Sequence, residues 1–328
     1  LWIMCILAFI LSAIIDNLTA TIVLITILRK LIKDNKDRVW FAGLIIIAAN
    51  AGGAWSPIGD VTTTMLWMGK KVSSIQLVKL LIIPSLICMI IPTVIASFLK
   101  PFKDNFEPPK DEIKEIKYGS TMLVLGLAAI IFVPIFKTVT HLPPYVGMML
   151  SLAIVTLVGE ILSSRQFSLH SLSNDSLSEE NSHSNSPIFR ALSKIEMPSI
   201  LFFLGILMTV AALESLGIVF NLGKSVQESI PINFFVLLLG AGSAVIDNVP
   251  LVAASMGMFD LAIDDTVWHF IAYSAGTGGS MLIIGSAAGV VAMGMEKISF
   301  FWYLKNIAWL AAIGYLTGAC SFLLFQSL

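Results

Sequence analysis

Residues 51–57 read AGGAWSP and separate two apolar runs, 39–50 and 58–69. A helix that crosses a bilayer needs roughly 20 apolar residues, so neither run crosses alone. Two glycines and a proline favour an irregular backbone, which membranes tolerate only where protein or water surrounds it. We therefore predict one broken helix over 39–69 whose centre is unwound.

The same pattern recurs near the end of the chain. Residues 277–280 read TGGS and separate the apolar runs 266–276 and 284–295. These runs are again about half the length of a bilayer span. We therefore predict a second broken helix over 266–295.

Each broken helix follows a pair of short apolar runs that share a motif. SAIIDN at 12–17 recurs as SAVIDN at 243–248, and each copy lies where its two runs meet. Because each run is too short to cross, we predict re-entrant helical hairpins over 1–28 and 232–258. Paired, interrupted apolar segments in two parts of a chain indicate a transporter with two structural repeats.

The composition indicates a membrane protein. Of the 328 residues, 57% are hydrophobic and 12% are charged, and the mean hydropathy is +0.90, whereas soluble domains carry roughly 25% charged residues. A formal net charge of -1 excludes a basic surface for nucleic acid. We predict an all-α polytopic protein whose surroundings are the lipid bilayer. Five further spans are predicted at 75–99, 119–136, 143–163, 198–220 and 302–325.

An odd number of crossings between the two hairpins places them at opposite faces, so the repeat is predicted to be inverted. The repeats divide the chain into 1–99 and 119–328, joined by a loop at 100–118, with a polar low-complexity loop at 164–190. If the loop at 29–38 is cytoplasmic, loop 100–118 is also cytoplasmic and most basic residues lie inside, as the positive-inside rule requires. Of the 20 basic residues, the ones that fall outside are Lys70, Lys71, Lys79, Lys137 and Lys224.

The two repeats differ in what precedes their aspartate motif. The second repeat carries several spans between 119 and 246, whereas the first carries only residues 1–15. We therefore expect roughly 100 further residues, about three scaffold helices at the usual span length, upstream of this segment.

Four acidic side chains fall within or beside the apolar segments: Asp16, Asp60, Asp247 and Glu214. An ionised carboxylate near the bilayer centre costs several kcal/mol unless it is paired or solvated. No Lys or Arg is predicted at the same depth. The remaining partners are protons, metal cations and the polar groups of a water-filled cavity.

Broken helices free backbone carbonyls, and these combine with carboxylate, amide and hydroxyl oxygens into a site that suits a hard monovalent cation. We predict that Asp60, Asp247 and neighbouring backbone carbonyls bind Na+, which is cargo, and we expect no cofactor. The other candidates for ion binding and proton exchange are Asp16, Asn17, Thr19, Asn50, Thr62, Thr63, Asn248, Thr277 and Ser280, with Glu214, Ser274 and Ser286 as further candidates.

Several of these positions also have a purely structural interpretation. The glycine pairs at 52–53 and 278–279 can serve close helix packing, as small residues do in membranes. The threonines at 62–64 can bond backbone carbonyls. Glu214 can lie in a water-filled vestibule near a helix end.

Four segments resemble the signature segments of the NhaD-type sodium/proton antiporters: SAIIDNLT at 12–19, NAGGAWSPIGDVTT at 50–63, SAVIDNVP at 243–250 and GTGGS at 276–280. That family belongs to the ion transporter superfamily, which includes arsenite permeases and divalent-anion/sodium symporters. The resemblance implies exchange of external protons for internal Na+ or Li+ in a homodimer with a scaffold and a mobile transport unit. It also implies that the ion-binding region contains Asp16, Asn50, Asp60, Thr62, Thr63 and Asp247.

We therefore expect a secondary active transporter, not an enzyme, in the bacterial cytoplasmic membrane or in an organelle envelope of bacterial descent. Protons and Na+ would compete for Asp60 and Asp247, because removal from water favours a neutral carboxyl. An anion permease of the same superfamily is the alternative, although acidic residues disfavour anions. An intramembrane aspartyl protease could share a proton between two aspartates but explains neither the hairpins nor the repeat. A channel would show ion flux without proton coupling.

Overall fold

The structure is a computed structural model that describes residues 1–102, 119–140, 142, 144–171 and 229–327, with isolated positions between 201 and 225. The described elements are helices, without strands, and an all-α protein is confirmed. Most of the predicted loop 100–118, residues 172–190 of the predicted polar loop and Glu214 lie outside the described residues. The predicted span 198–220 is described only at isolated positions.

The first part of the chain forms a helical pair, a broken helix and a long helix. Polar caps explain where several of these helices begin, because a side-chain oxygen satisfies an amide that lacks a helical partner. Asp16, Asp60 and Ser73 accept bonds from Thr19, Thr62 and Gln76 amides, respectively. The helices are α1 (Trp2–Ile15), α2 (Asn17–Leu31), α3 (Asn35–Ala54), α4 (Val61–Met68) and α5 (Ser74–Ser97).

Two helices follow the first part, α6 (Gly119–Thr140) and α7 (Pro144–Ser171). They pack against each other, and the Ser151 hydroxyl on α7 donates to the Ala129 carbonyl on α6 at 2.9 Å. Because α7 ends at Ser171, it includes residues 164–171 of the predicted polar loop. These helices belong to one compact unit, Asp111–Leu204, whereas Leu1–Lys110 and Gly205–Leu328 form another.

The last part of the chain repeats the element order of the first: a helical pair, a broken helix and a long helix. Caps recur here, since Asp265 and Ser286 accept bonds from the amides of Val267 and Gly289. The predicted span 302–325 is interrupted at Ile307. The helices are α8 (Ile232–Gly242), α9 (Asn248–Met258), α10 (Thr266–Gly278), α11 (Ala287–Glu296), α12 (Phe300–Asn306) and α13 (Ala308–Ser327).

Equivalent helices pack in equivalent ways within the larger unit. α1 packs on α3 and α8 packs on α10, while α5 packs along α13. Ser12 on α1 donates to the Ala49 carbonyl at 2.5 Å, and Ser243, just after α8, donates to the Ala275 carbonyl at 3.2 Å. The α3 and α10 helices form the core, because every residue in 41–54 and 267–278 is buried.

The first glycine pair does not unwind the chain where predicted, whereas the second break begins at Gly279, within the predicted 277–280. Gly52 and Gly53 lie within α3, and the irregular segment spans 55–60 instead. A methyl group at Gly52 would overlap the Phe9 carbonyl oxygen, so the glycine permits α1 to approach α3. The close-packing interpretation therefore holds at Gly52. The helix ends before Pro57, because the residue preceding a proline disfavours helical geometry.

Two of the described helices, Ser74–Ser97 and Ala308–Gln326, are long and apolar enough to cross a membrane by length and composition. Shorter apolar helices include Trp2–Ile15, Ile232–Gly242 and Asn248–Met258. Many large apolar side chains are exposed on the unit's surface, which is unusual for a protein surrounded by water. The larger unit therefore has an apolar periphery and a mainly apolar core that also contains buried polar side chains.

Candidate functional site

Asp60 is the point where both helical pairs meet the first helix break. It lies just before α4, is 3% exposed, and its Oδ1 accepts the Thr62 amide at 3.0 Å. Its Oδ2 accepts the side-chain amides of Asn17 at 3.0 Å and Asn248 at 3.3 Å. Asn17 begins α2 and Asn248 begins α9. Both helical pairs therefore reach one carboxylate oxygen.

A string of buried amides continues from Asp60 to the second broken helix. Asn17 Nδ2 also donates to Asn50 Oδ1 at 3.0 Å. Asn50 Nδ2 in turn donates to the Ser286 hydroxyl at 3.0 Å, and Ser286 is the N-cap of α11. The two helical pairs and the two broken helices thus each contribute a side chain to one network.

Asp16 and Asp247 lie beside the asparagines and are only half-buried. The Asp16 carboxylate accepts the Thr19 amide and the Thr19 hydroxyl, both at 2.8 Å. Asp247 does not bond to Asp60; its neighbour Asn248 makes that contact. The prediction that Asp60 and Asp247 together bind Na+ stays a prediction, and the structure adds the Asn248 amide as a direct contact of Asp60.

The site concentrates negative charge. Asp16 and Asp247 directly precede Asn17 and Asn248, whose amides contact Asp60, and the ion pairs among the described residues involve none of these three aspartates. Like charges in a poorly solvated place disfavour one another's ionised form. A bound proton or a bound cation would relieve this repulsion.

Three of the hydroxyl candidates donate to the backbone of their own segments. Thr63 donates to the Asp60 carbonyl at 2.9 Å, Thr277 to the Tyr273 carbonyl and Ser280 to the Thr277 carbonyl, both at 2.6 Å. Because a hydroxyl has one proton and two lone pairs, each keeps acceptor capacity for a cation. Ser274 is also buried, on α10.

Gly276 lies near the site but is not among the site residues predicted from the sequence. A β-carbon there would lie 3.7 Å from Asp60 Oδ2 and 3.2 Å from the β-carbon of Ala54. The missing side chain therefore leaves room beside the carboxylate. The repeat holds the signal that could find it, because Gly276 in GTGGS aligns with Asn50 in NAGGA.

Asp16 is the strained residue of the site. Its φ of 108° and ψ of 159° fall in a region that is essentially reserved for glycine and costs about 1–3 kcal/mol. Asp247, its counterpart, has φ of −45° and ψ of 138°, which suits any residue. The first turn therefore stores backbone strain that the second does not.

We expect Asp16→Gly to raise the melting temperature of the purified protein by a few degrees and Asp247→Gly to lower it. Glycine relieves the strain at Asp16 and costs only a few tenths of a kcal/mol as an N-cap replacement. At Asp247 it brings only extra chain entropy in the unfolded state. Differential scanning fluorimetry in detergent measures both, and equal losses from the two variants would contradict the assignment.

Comparison with known proteins places this chain among transporters. The family model described as "Citrate transporter" matches residues 1–270. "Sodium/proton antiporter 1" of Arabidopsis thaliana is 41% identical over the whole chain, which spans 56% of that relative's length. "Sodium/proton antiporter 2" of the same plant is 39% identical over 98% of the chain, and "Na(+)/H(+) antiporter NhaD" of Vibrio parahaemolyticus is 34% identical over 93%. The chain spans 76% of each of these two relatives.

These matches confirm the resemblance seen in the four signature segments. They extend over nearly the whole chain, and the helical fold agrees with an integral membrane protein. The chain belongs to the NhaD-type sodium/proton antiporter family.

Proposed function

We propose that this protein is a secondary active transporter that exchanges Na+ or Li+ for H+ across a membrane. The observation that carries the proposal is the buried carboxylate of Asp60, which side-chain amides from both helical pairs contact at 3.0 and 3.3 Å. The names of the relatives support it, since they are sodium/proton antiporters. Our proposal includes no enzymatic activity.

Proton and cation would compete for Asp60. When Asp60 is ionised, the amides of Asn17 and Asn248 donate to it. An amide that rotates by half a turn presents its carbonyl oxygen instead of its NH2 group, so the same asparagines can change from donors to Na+ ligands. Asp247, the nearby hydroxyl groups and the freed backbone carbonyls would complete the coordination.

Alternating access would use an inverted repeat with two re-entrant hairpins, α1–α2 and α8–α9. The support is a cross-packing that is equivalent in both directions: α2 packs on α11, and α9 packs on α4. Each hairpin thus contacts the second half of the other repeat's broken helix. Repeats of this kind move against one another around a fixed site.

The wider assembly follows the same proposal. Repeats at 1–99 and 119–328 would work in a homodimer, with a scaffold and a mobile unit in each protomer. Relatives occur in bacteria and in a plant, so the membrane is a bacterial cytoplasmic membrane or an organelle envelope. The Na+ and H+ that move through the protein are its partners.

A citrate permease is the second candidate, because the matching family model is described as a citrate transporter. Citrate carries several negative charges at neutral pH, and it would have to approach Asp16, Asp60 and Asp247. None of the ion pairs among the described residues supplies a cation there. The geometry therefore favours a cation over citrate.

A vesicle assay tests the proposal directly. The chain is expressed in antiporter-deficient bacteria, everted vesicles are energised by respiration, and a pH-sensitive dye reports the proton gradient. We expect Na+ or Li+ to collapse the gradient and an empty vector to show no response. Uptake of labelled citrate without a Na+ response would establish the permease instead, and Na+ flux without proton movement would indicate a channel.

A further inference from the structure

An ionic cluster around one buried carboxylate lies at the end of α11, away from Asp60. The side chain of Glu296, the last residue of α11, is fully buried. Its Oε1 accepts the Arg29 guanidinium at 2.6 Å and its Oε2 accepts the Arg38 guanidinium at 2.9 Å. Arg29 also donates to the Met295 carbonyl. Both carboxylate oxygens are therefore bonded to basic groups.

The cluster also fastens the connection between α2 and α3. Arg38 donates to the carbonyls of Ile32 at 3.0 Å and Lys33 at 2.7 Å. Asn35 reaches the Glu296 carbonyl at 3.4 Å. The end of α2, the start of α3 and the end of α11 are thus joined at one place.

The same three helices are joined a second time, at the site. Asn17 begins α2, Asn50 lies near the end of α3, and Ser286 caps α11. The amide string bonds these side chains to one another at 3.0 Å. At a helix rise of 1.5 Å per residue, each helix carries its site residue about 15–18 Å from the ionic cluster. α2, α3 and α11 are therefore tied at both ends.

Resting on the function proposed above, we propose that Glu296, with Arg29 and Arg38, is a positioning residue that holds Asn17, Asn50 and Ser286 in register for cation binding. A change in the axial position of any one helix at the cluster moves its site residue by the same amount, because helices are stiff along their axes. Hydrogen bonds weaken steeply beyond their ordinary distances. A small displacement at Glu296 therefore breaks the amide string.

Stability alone does not account for the cluster. Apolar residues of similar volume often replace a buried ion pair without loss of stability, and fixing register is the best-attested use of such groups. The left-handed conformation of Lys297, with φ of 53°, directly follows Glu296. It places a second constraint on where α11 ends.

The end of α4 offers a control at another helix that begins at the site. Lys70, near the end of α4, is exposed, and it also has a positive φ of 56°. α4 begins at the site, as α11 does, because Asp60 is its N-cap. A charge removed at Lys70 therefore tests whether any loss of charge near a helix end disturbs the site.

The test compares three variants with the wild type. Two are the single variants Glu296→Gln and Lys70→Gln. The third is an apolar triple variant that combines Arg29→Met, Arg38→Met and Glu296→Leu. The first readout is the Na+ concentration that gives half of the rise in melting temperature caused by bound Na+. We expect Glu296→Gln to raise it about tenfold, the low end of the effect of groups that orient metal ligands. In the absence of Na+, the triple variant should melt at the wild-type temperature, but it should need the same raised Na+ concentration as Glu296→Gln. Lys70→Gln should match the wild type in both measurements.

A second readout does not depend on ion binding. Ala288→Cys in a Cys320→Ser background reports access to the start of α11, because Ala288 is buried there and takes no part in the amide string, Cys5 and Cys88 are buried, and Cys320 is exposed. We expect Glu296→Gln to raise the rate of thiol modification at this position about tenfold, and Lys70→Gln to leave it unchanged.

Two results would overturn the positioning role: an unchanged modification rate in Glu296→Gln, or a triple variant with wild-type Na+ response. A wild type without Na+ response or exchange would instead overturn the proposed function, and the modification rates would still decide the role of Glu296.

Discussion

Asp60→Asn is expected to abolish Na+-dependent proton exchange while insertion into the membrane and protein yield stay close to the wild type. Asparagine has the same shape, and it caps a helix about as well as aspartate, so the Thr62 amide keeps its acceptor. The variant cannot release a proton or attract a cation. We expect the exchange rate to fall at least about a hundredfold, which corresponds to about 2.7 kcal/mol of transition-state stabilisation.

The control for this prediction is Asp260→Asn, which removes an exposed carboxylate after α9. The everted-vesicle assay measures both variants at several pH values, and fluorimetry measures their Na+-dependent melting. Asp260→Asn should behave as the wild type. Exchange at more than a tenth of the wild-type rate by Asp60→Asn would show that Asp60 does not carry the cargo.

The site contains residues that the sequence motifs identify, but their contacts could not be predicted. The SAIIDN and SAVIDN motifs each offer an aspartate and an asparagine. Charge alone favours the aspartate as the residue that binds Na+ together with Asp60. The structure brings Asn17 and Asn248 to Asp60 instead. Adjacent residues at the start of a helix point in different directions, and a sequence does not show which of them faces a distant segment.

Long-range contacts limit prediction in the same way elsewhere. Ser286 is a candidate from the sequence because its hydroxyl can supply a neutral oxygen, whereas its bond to Asn50 joins residues far apart in the chain. Arg29 and Arg38 fit the positive-inside rule as loop residues. Their burial of Glu296 depends on how α2, α3 and α11 meet, which no local pattern encodes.

The element order, by contrast, follows from local physical chemistry. Half-length apolar runs, prolines and polar caps determine where the helices begin and end. The break after α3 lies later than predicted, because Gly52 and Gly53 remain helical and serve packing. Glycines in membrane helices can either permit close packing or interrupt the helix. Only the position of the neighbouring helix shows which of the two applies.

Gly278→Ala is the change expected to harm the fold most directly. An added methyl group would overlap the Gly240 carbonyl oxygen and would lie 2.6 Å from the Ser243 hydroxyl. A backbone carbonyl cannot rotate away as a flexible side chain can, so α8 must move from α10. Overpacking of this kind costs about 1–3 kcal/mol. The shift also breaks the Ser243 bond to Ala275 and pulls Asn248 from Asp60.

We therefore expect Gly278→Ala to lower both the yield of monodisperse protein and its melting temperature, and any protein that folds to lose most of its exchange. Gly294→Ala is the matched control, because a β-carbon there meets nothing within 4 Å. Alanine in that exposed part of α11 should stabilise the helix by about 0.5–1 kcal/mol. Size-exclusion chromatography and fluorimetry measure both variants. If Gly278→Ala melted as high as Gly294→Ala, α8 and α10 would not pack at carbonyl distance, and the path from this contact to Asp60 would be wrong.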